Sequence, residues 1–305
     1  MRRRTLLRSS LLAALWLAVL WALLPALVHP AAAAQSETRE DEHFTSRALG
    51  GELSYAVYLP PGYAASSERY PVLYLLHGVD GNHHEWLQDG HVRQSLDLLI
   101  RNGLVEPMIV VMPEGANSWY VDSKNVGGPG DYASAIGDDL REHIDATLHT
   151  KPEPRRRGIG GLSMGGFGAL RLAFQQPFRY VAAASFSGAF WARLKPDSQL
   201  GSFADRIFTG AFGHPFDAKR FLEQSPLTTV DTLVNVKDPP AVFLTVGDRD
   251  RYKLYADTFQ LFIHMRELGL PVDMRMTGGD HDWGTWSDEL RDALIFFDGK
   301  FRGGE

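Results

Sequence analysis

Gly158-Ile159-Gly160-Gly161-Leu162-Ser163-Met164-Gly165-Gly166-Phe167 is the stretch that decides how this chain folds. Gly158 to Leu162 reads as a short buried strand, and Phe167 to Gln175 as a helix that begins just after it. Between them, Gly161-Leu162-Ser163-Met164-Gly165 fits the G-x-S-x-G elbow, which lifts a serine hydroxyl clear of the backbone. A side chain two residues before or after that serine would collide with the turn, so glycine stands at both places. The helix aims its first N–H groups at the same point, where negative charge on a reacting oxygen is stabilised. Read without chemistry, the stretch is a tight glycine turn with an incidental serine. The strand before it and the helix after it favour the elbow.

A serine so placed needs a base, and the base needs an acid to orient it, in the chain order Ser, Asp, His. The apolar run Ala241 to Val246 ends in Gly247-Asp248-Arg249-Asp250, and Val272 to Thr277 ends in Gly278-Gly279-Asp280-His281-Asp282-Trp283. Both loops are expected at the carboxyl ends of their strands, on the edge that holds Ser163. His281 is assigned as the base and Asp250 as the acid, with Asp248 as its competitor. Asp280 and Asp282 directly flank His281 and are read as loop structure. Two backbone N–H groups complete the arrangement as an oxyanion hole. One is that of Met164, after the serine, and the other that of Val79, in His77-Gly78-Val79-Asp80-Gly81 after the strand Val72 to Leu76.

The surrounding pattern is that of an α/β protein. Met108 to Met112 and Val181 to Phe186 are further continuous apolar runs, as suits strands of a mostly parallel sheet buried on both faces. Phe44 to Leu49 and Glu52 to Leu59 read as a hairpin across Gly50-Gly51. Tyr132, Ile136, Leu140, Ile144 and Leu148 mark a helix with Asp131 as N-cap. Tyr255, Phe259, Phe262, Ile263 and Leu268 mark a second, and Trp286, Leu290, Leu294 and Phe297 a third. Alternation of strand and helix places helices on both faces of one sheet. Residues 191–240 break the rhythm with Phe203, Phe208, Phe212, Phe216 and Phe221, and read as an insertion over the active-site edge that shapes a pocket.

The first 34 residues are different material. Arg2, Arg3, Arg4 and Arg8 are their only charges, an apolar run from Leu11 to Val28 follows, and Ala31 to Ala34 closes it. This is the pattern of a secretory signal peptide cleaved after Ala34. The alternative is an uncleaved membrane anchor. The export route is open between the general secretory path and the twin-arginine path, because Arg3-Arg4-Thr5-Leu6-Leu7-Arg8 resembles a twin-arginine signal. Residues 35–305 form the expected single domain, exported to the periplasm or beyond. Cleavage shifts the formal net charge from −6 to −10, which excludes the basic footprint of a nucleic-acid binder. With 0 cysteines, disulfides, thiolate metal sites and a cysteine nucleophile are excluded.

Several motifs taken together resemble a known family. They are Leu75-Leu76-His77-Gly78-Val79-Asp80-Gly81-Asn82 with Trp86, Val110-Val111-Met112-Pro113, Ser118-Trp119-Tyr120, Gly161-Leu162-Ser163-Met164-Gly165-Gly166, Ala184-Ser185-Phe186-Ser187-Gly188 and His281-Asp282-Trp283. As a set they are similar to the esterase D family of α/β-hydrolases. That family includes tributyrin esterases, S-formylglutathione hydrolases, feruloyl esterases and the antigen 85 mycolyltransferases. The likeness is greatest to the bacterial tributyrin-esterase branch and runs from about residue 42 to 300. It implies an α/β-hydrolase fold, Ser163, Asp250 and His281 as triad, and Val79 and Met164 as oxyanion donors. It further implies an ester substrate, either short-chain or a hydroxycinnamoyl or acetyl ester on polysaccharide, and no cofactor.

Other features carry less. His83-His84-Glu85, with His77 and His91 nearby, resembles a metal cluster. Adjacent histidines are expected to point apart, however, and no carboxylate pattern completes a site, so no metal is expected. Trp119 and Tyr120 are read as either core packing or pocket lining, Ser187 as structural, and Arg155-Arg156-Arg157 as a solvated turn. The same triad would also serve transfer of the acyl group to an alcohol. A non-catalytic surface module is the remaining reading, disfavoured because all three triad positions are kept.

Overall fold

The computed structural model describes residues 35–303. The expected signal segment, residues 1–34, lies outside the described residues. At the centre of one eight-stranded sheet is β5 (Arg157–Leu162), which ends at the elbow serine. The strands in chain order are β1 (Glu37–Ser46), β2 (Gly51–Leu59), β3 (Val72–Leu76), β4 (Ile109–Pro113), β5, β6 (Ala182–Phe186), β7 (Ala241–Gly247) and β8 (Val272–Thr277). Their spatial order is β1-β2-β4-β3-β5-β6-β7-β8. From β4 to β8 every pair is parallel, while β1 and β2 form an antiparallel edge. Parallel neighbours need crossovers, and helices supply them on both faces. On one face lie α2 (residues 132–147), α3 (Met164–Gln175) and α4 (Leu254–Glu267), and on the other α1 (Val92–Arg101) and α5 (Trp283–Phe301).

The glycines of β5 set how closely these layers approach. A Cβ on Gly158 would lie 2.7 Å from the Phe297 ring of α5. Strands β3 to β7 are buried along their whole length, which is why their sequences are predominantly apolar, with Arg157, Ser185 and Thr245 as buried exceptions.

Four expectations change. The first strand is longer and earlier than Phe44 to Leu49. It begins at Glu37, and residues 47–50 form the turn. Its early residues are charged because it is an edge strand facing water, so apolar alternation is absent there. On α4 the buried face is Leu254, Thr258, Leu261 and Met265, while Phe259 and Ile263 stay exposed. Asp131 does not cap α2; its Oδ1 accepts from the Lys124 N–H at 3.1 Å instead. Within α2, residues Ala135–Leu140 are π-helical. That wider turn keeps side chains spaced by four, Ile136, Leu140 and Ile144, on one buried face. Arg157 is buried at the start of β5 and reaches Asp145 at 2.8 Å, rather than being part of a solvated turn.

The segment 191–240 folds mainly into short helices, among them Ser202–Phe208 and Ala218–Gln224. Its Phe208, Phe212 and Phe221 are fully buried and join Phe167 of α3 in one aromatic cluster. The segment therefore extends the core, and does more than lie over the sheet edge.

Candidate active site

Ser163 sits at the end of β5 with φ 53° and ψ −114°. A non-glycine residue in this region carries roughly 1–3 kcal/mol of strain, held by its surroundings. The Ser163 N–H donates to Phe186 O at 2.9 Å, and Ser163 O accepts from the Ala189 N–H at 3.1 Å. A Cβ on Gly161 would run into the Gly165 carbonyl, and one on Gly165 into the carbonyls of Leu76 and His77. Both glycines of the elbow are thus required by close backbone approach.

The structure brings the three assigned side chains into one line. Ser163 Oγ lies 3.0 Å from His281 Nε2, and His281 Nδ1 lies 2.8 Å from Asp250 Oδ2. Asp250 is 2% exposed, and its other oxygen accepts from the Tyr252 N–H at 2.9 Å and the Leu254 N–H at 3.3 Å. A buried carboxylate satisfied this way is fixed in place and holds the imidazole in one tautomer, with the proton on Nδ1. Edge contacts from Tyr252 and Trp286, each with its ring centroid 4.9 Å away, hold the His281 ring. Trp286 Nε1 donates to Ser187 Oγ at 3.2 Å, which gives Ser187 a supporting position behind the histidine.

The neighbouring carboxylates have other partners. Asp248 Oδ1 accepts from the Gly279 N–H at 3.0 Å and pins the histidine loop. Asp280 accepts from the N–H groups of Arg251 and His281, at 2.8 and 2.7 Å. Asp282 caps α5 by accepting from the Thr285 N–H.

The Val79 and Met164 N–H groups, assigned as oxyanion donors, have no hydrogen-bond acceptor among the described residues. His77, which sequence reasoning set aside as part of a histidine cluster, orients the first of them. Its Nε2 accepts from the Gly115 N–H at 2.8 Å, so its Nδ1 carries the proton and donates to Gly78 O at 2.7 Å. That carbonyl belongs to the same peptide unit as the Val79 N–H, which must point the opposite way. His77 is buried, and its place directly before Gly78 was the available signal.

Trp119 and Tyr120 do not line an open pocket. They are 1% and 0% exposed. Trp119 packs against Phe167, Phe208, Phe212 and Phe221 and donates to Ile207 O at 2.9 Å, while Tyr120 donates to His77 O at 3.0 Å. Each has a polar handle and an aromatic body that the core uses fully. The insertion does border a surface cavity of about 550 Å³, lined by Phe212, His214, Pro215 and Arg220 among others, but no triad residue belongs to it.

The sheet order and the elbow define an α/β-hydrolase. The sequence profile described as "Putative esterase" matches residues 46–297, and the chain belongs to that esterase family. It is 30% identical over 217 residues to an esterase of Mycobacterium tuberculosis, covering 67% of this chain and 44% of that protein. It is 27% identical over 238 residues to an acetyl esterase of Caldicellulosiruptor saccharolyticus, covering 75% of this chain and 83% of that one. The chain thus spans less than half the length of the mycobacterial relative. Among solved structures, a ferulic acid esterase superposes with a TM-score of 0.75 at 25% identity, covering 88% of this chain and 99% of that one. A fluorophosphonate-binding serine hydrolase of Staphylococcus aureus shares the fold, with a TM-score of 0.70 at 19% identity over 86% of this chain and 98% of that one.

Proposed function

We propose that this protein is an exported serine carboxylesterase. The hydrogen-bonded line Ser163–His281–Asp250 on a nucleophile elbow carries the reading. His281 Nε2 takes the Ser163 proton as Oγ attacks the ester carbonyl, and Asp250 stabilises the imidazolium that results. The carbonyl oxygen becomes an oxyanion facing the Val79 and Met164 N–H groups. Collapse expels the alcohol, which receives its proton from His281. Water, deprotonated by His281, then attacks the acyl-enzyme and releases the acid.

Acetyl and hydroxycinnamoyl esters are the proposed substrates, since one relative is named an acetyl esterase and one structural neighbour a ferulic acid esterase. Export rests on the basic, apolar and Ala-rich order of residues 1–34. No helix among the described residues is long and apolar enough to cross a membrane. The deciding experiment compares wild type with Ser163→Ala on p-nitrophenyl acetate and methyl ferulate, alongside labelling by a fluorophosphonate probe. Turnover and labelling should both vanish in the variant. Undiminished hydrolysis by Ser163→Ala would overturn the assignment.

A further inference from the structure

We propose that His83, His84 and Asp41 bind a divalent ion of the zinc type, which ties β1 to the loop that carries Val79. Each of the three offers one ligand atom, and these atoms lie within 4.8 Å of one another. Two local features create the cluster, and neither is visible as a motif. The histidines do not point apart: their rings face each other with centroids 3.9 Å apart and planes at 38°. The carboxylates come from a distant part of the chain. The register of β1 against β2 shifts between Arg39 and Glu42, and the bulge so formed holds Glu40 and Asp41 beside His84.

The distances favour a shared ion over direct pairing. His84 Nε2 is 3.6 Å from Asp41 Oδ1, and His84 Nδ1 is 3.9 Å from Glu40 Oε2. Both exceed hydrogen-bond range. Two ligands at about 2.0–2.2 Å from one tetrahedral zinc ion stand roughly 3.4 Å apart, close to the His84–Asp41 spacing. His83 is already oriented from behind, since its Nδ1 lies 3.1 Å from Glu114 Oε2. A carboxylate on one ring nitrogen fixes the tautomer and leaves the Nε2 lone pair free for a metal. The His83 and His84 side chains are 13% and 26% exposed, whereas that of Asp41 is 87% exposed. The imidazoles are therefore partly preorganised, and the carboxylate closes on the ion from the solvent side. Water takes the fourth position.

Two imidazoles and one carboxylate select zinc, cobalt or nickel over calcium and magnesium, which prefer all-oxygen shells. The ion has no part in the ester chemistry, because none of its ligands contacts Ser163, His281 or Asp250 among the described residues. Its role is a brace. His84 immediately precedes the short helix Glu85–Gln88, whose Trp86 Nε1 donates to Leu76 O at 3.0 Å, at the end of β3.

The test uses the purified full chain, stripped with EDTA and dialysed. Zinc chloride is titrated in by calorimetry, thermal unfolding is followed with and without zinc, and cobalt(II) reports geometry through its visible absorption. One zinc should bind per chain and raise Tm by roughly 5 °C at saturation, with tetrahedral cobalt bands. Asp41→Asn and His84→Gln should each weaken binding at least tenfold and abolish the Tm shift. Glu114→Gln should weaken it by about tenfold, as loss of an orienting partner does. Failure of the wild type to bind zinc in stoichiometric amount would overturn the proposal, as would unchanged binding in both ligand variants. None of these readouts depends on ester hydrolysis, so the outcome is independent of the role assigned to Ser163.

Discussion

His77 Nδ1 donates to the carbonyl of Gly78, the next residue in the chain, at 2.7 Å. This bond sets the tilt of the Gly78–Val79 peptide, and so the direction of the proposed oxyanion donor. His77→Phe retains the ring volume and removes the bond. It is expected to lower kcat by about 100-fold, the scale of losing one such donor, with KM changed less than about threefold. His77→Asn, whose amide nitrogen is placed much like Nδ1, should recover part of the loss. Steady-state kinetics on p-nitrophenyl acetate separates the two parameters.

Asp250 and Asp248 stand two residues apart, with different partners. Asp250→Asn should reduce kcat/KM by about 10³- to 10⁴-fold, because an amide at that site stabilises the wrong histidine tautomer and no imidazolium. Asp248→Asn keeps an amide oxygen that can still accept from the Gly279 N–H and should cost less than about tenfold. Side-by-side kinetics in one buffer decides the assignment, and the reverse order of severity would transfer the acid role to Asp248.

Gly165→Ala forces a Cβ onto the backbone carbonyls of Leu76 and His77, and neither can move without shifting β3. Stability should fall by about 1–3 kcal/mol. Activity should fall further, by roughly 100-fold, since a displacement of the elbow on the order of 1 Å has that effect on a positioned nucleophile. Urea unfolding and esterase assays on the same preparation measure both.

Glu289 of α5 is 3% exposed, and its Oε1 accepts from Thr277 Oγ1 at 2.6 Å, while Oε2 has no partner among the described residues. Burial, with Asp288 and Asp292 nearby, raises its pKa from 4.5 to about 7. A carboxyl with a raised folded-state pKa is favoured as the neutral acid. Its stabilising effect is complete below pH 4.5 and is lost as pH rises towards 7. Unfolding free energy should drop by roughly 3 kcal/mol over that window, and Glu289→Gln should flatten the drop. A wild-type profile identical to that of the glutamine variant from pH 4.5 to 8 would exclude this contribution.

Trp119→Ala should cost about 3–5 kcal/mol, because the indole fills the junction of Phe167, Phe208, Phe212 and Phe221. Proteolysis should then cut first within residues 191–240, since that segment loses its anchor. Limited trypsin digestion with mass spectrometry locates the cut.

The parts of this molecule that were legible share one property, in that local pattern and tertiary role coincide. Strands β3 to β7 are buried on both faces, so each is a predominantly apolar run with a turn behind it, and the loops bearing Ser163, Asp250 and His281 could be placed on one edge. Legibility failed where tertiary context overrides pattern. Glu37–Glu42 forms a strand despite its charges, because an edge strand needs only its backbone paired. On α4 the larger apolar residues Phe259 and Ile263 face outward, and the core takes the smaller stripe. Trp119 and Tyr120 stand in the loop after β4, where pocket residues are often found. The left-handed conformation there, φ 54° and 55°, turns both side chains into the core. Nothing in the order of residues 77–91 indicated that two adjacent histidines would stack and meet a bulge from β1.

The loop after β3 is also joined to the insertion. Asp80 and Asn117 are bonded reciprocally at 2.7 Å in both directions, and the Asn117 carbonyl accepts from Thr209 Oγ1 at 2.7 Å. Thr209 lies in the insertion 191–240, while Asp80 adjoins Val79. A change in the insertion is therefore felt at the donor through the side chains of Thr209 and Asn117. A lineage that remodels this segment for a new acyl group must preserve or replace the Thr209 contact, and laboratory evolution of substrate range should accumulate compensating changes at Asp80 and Asn117.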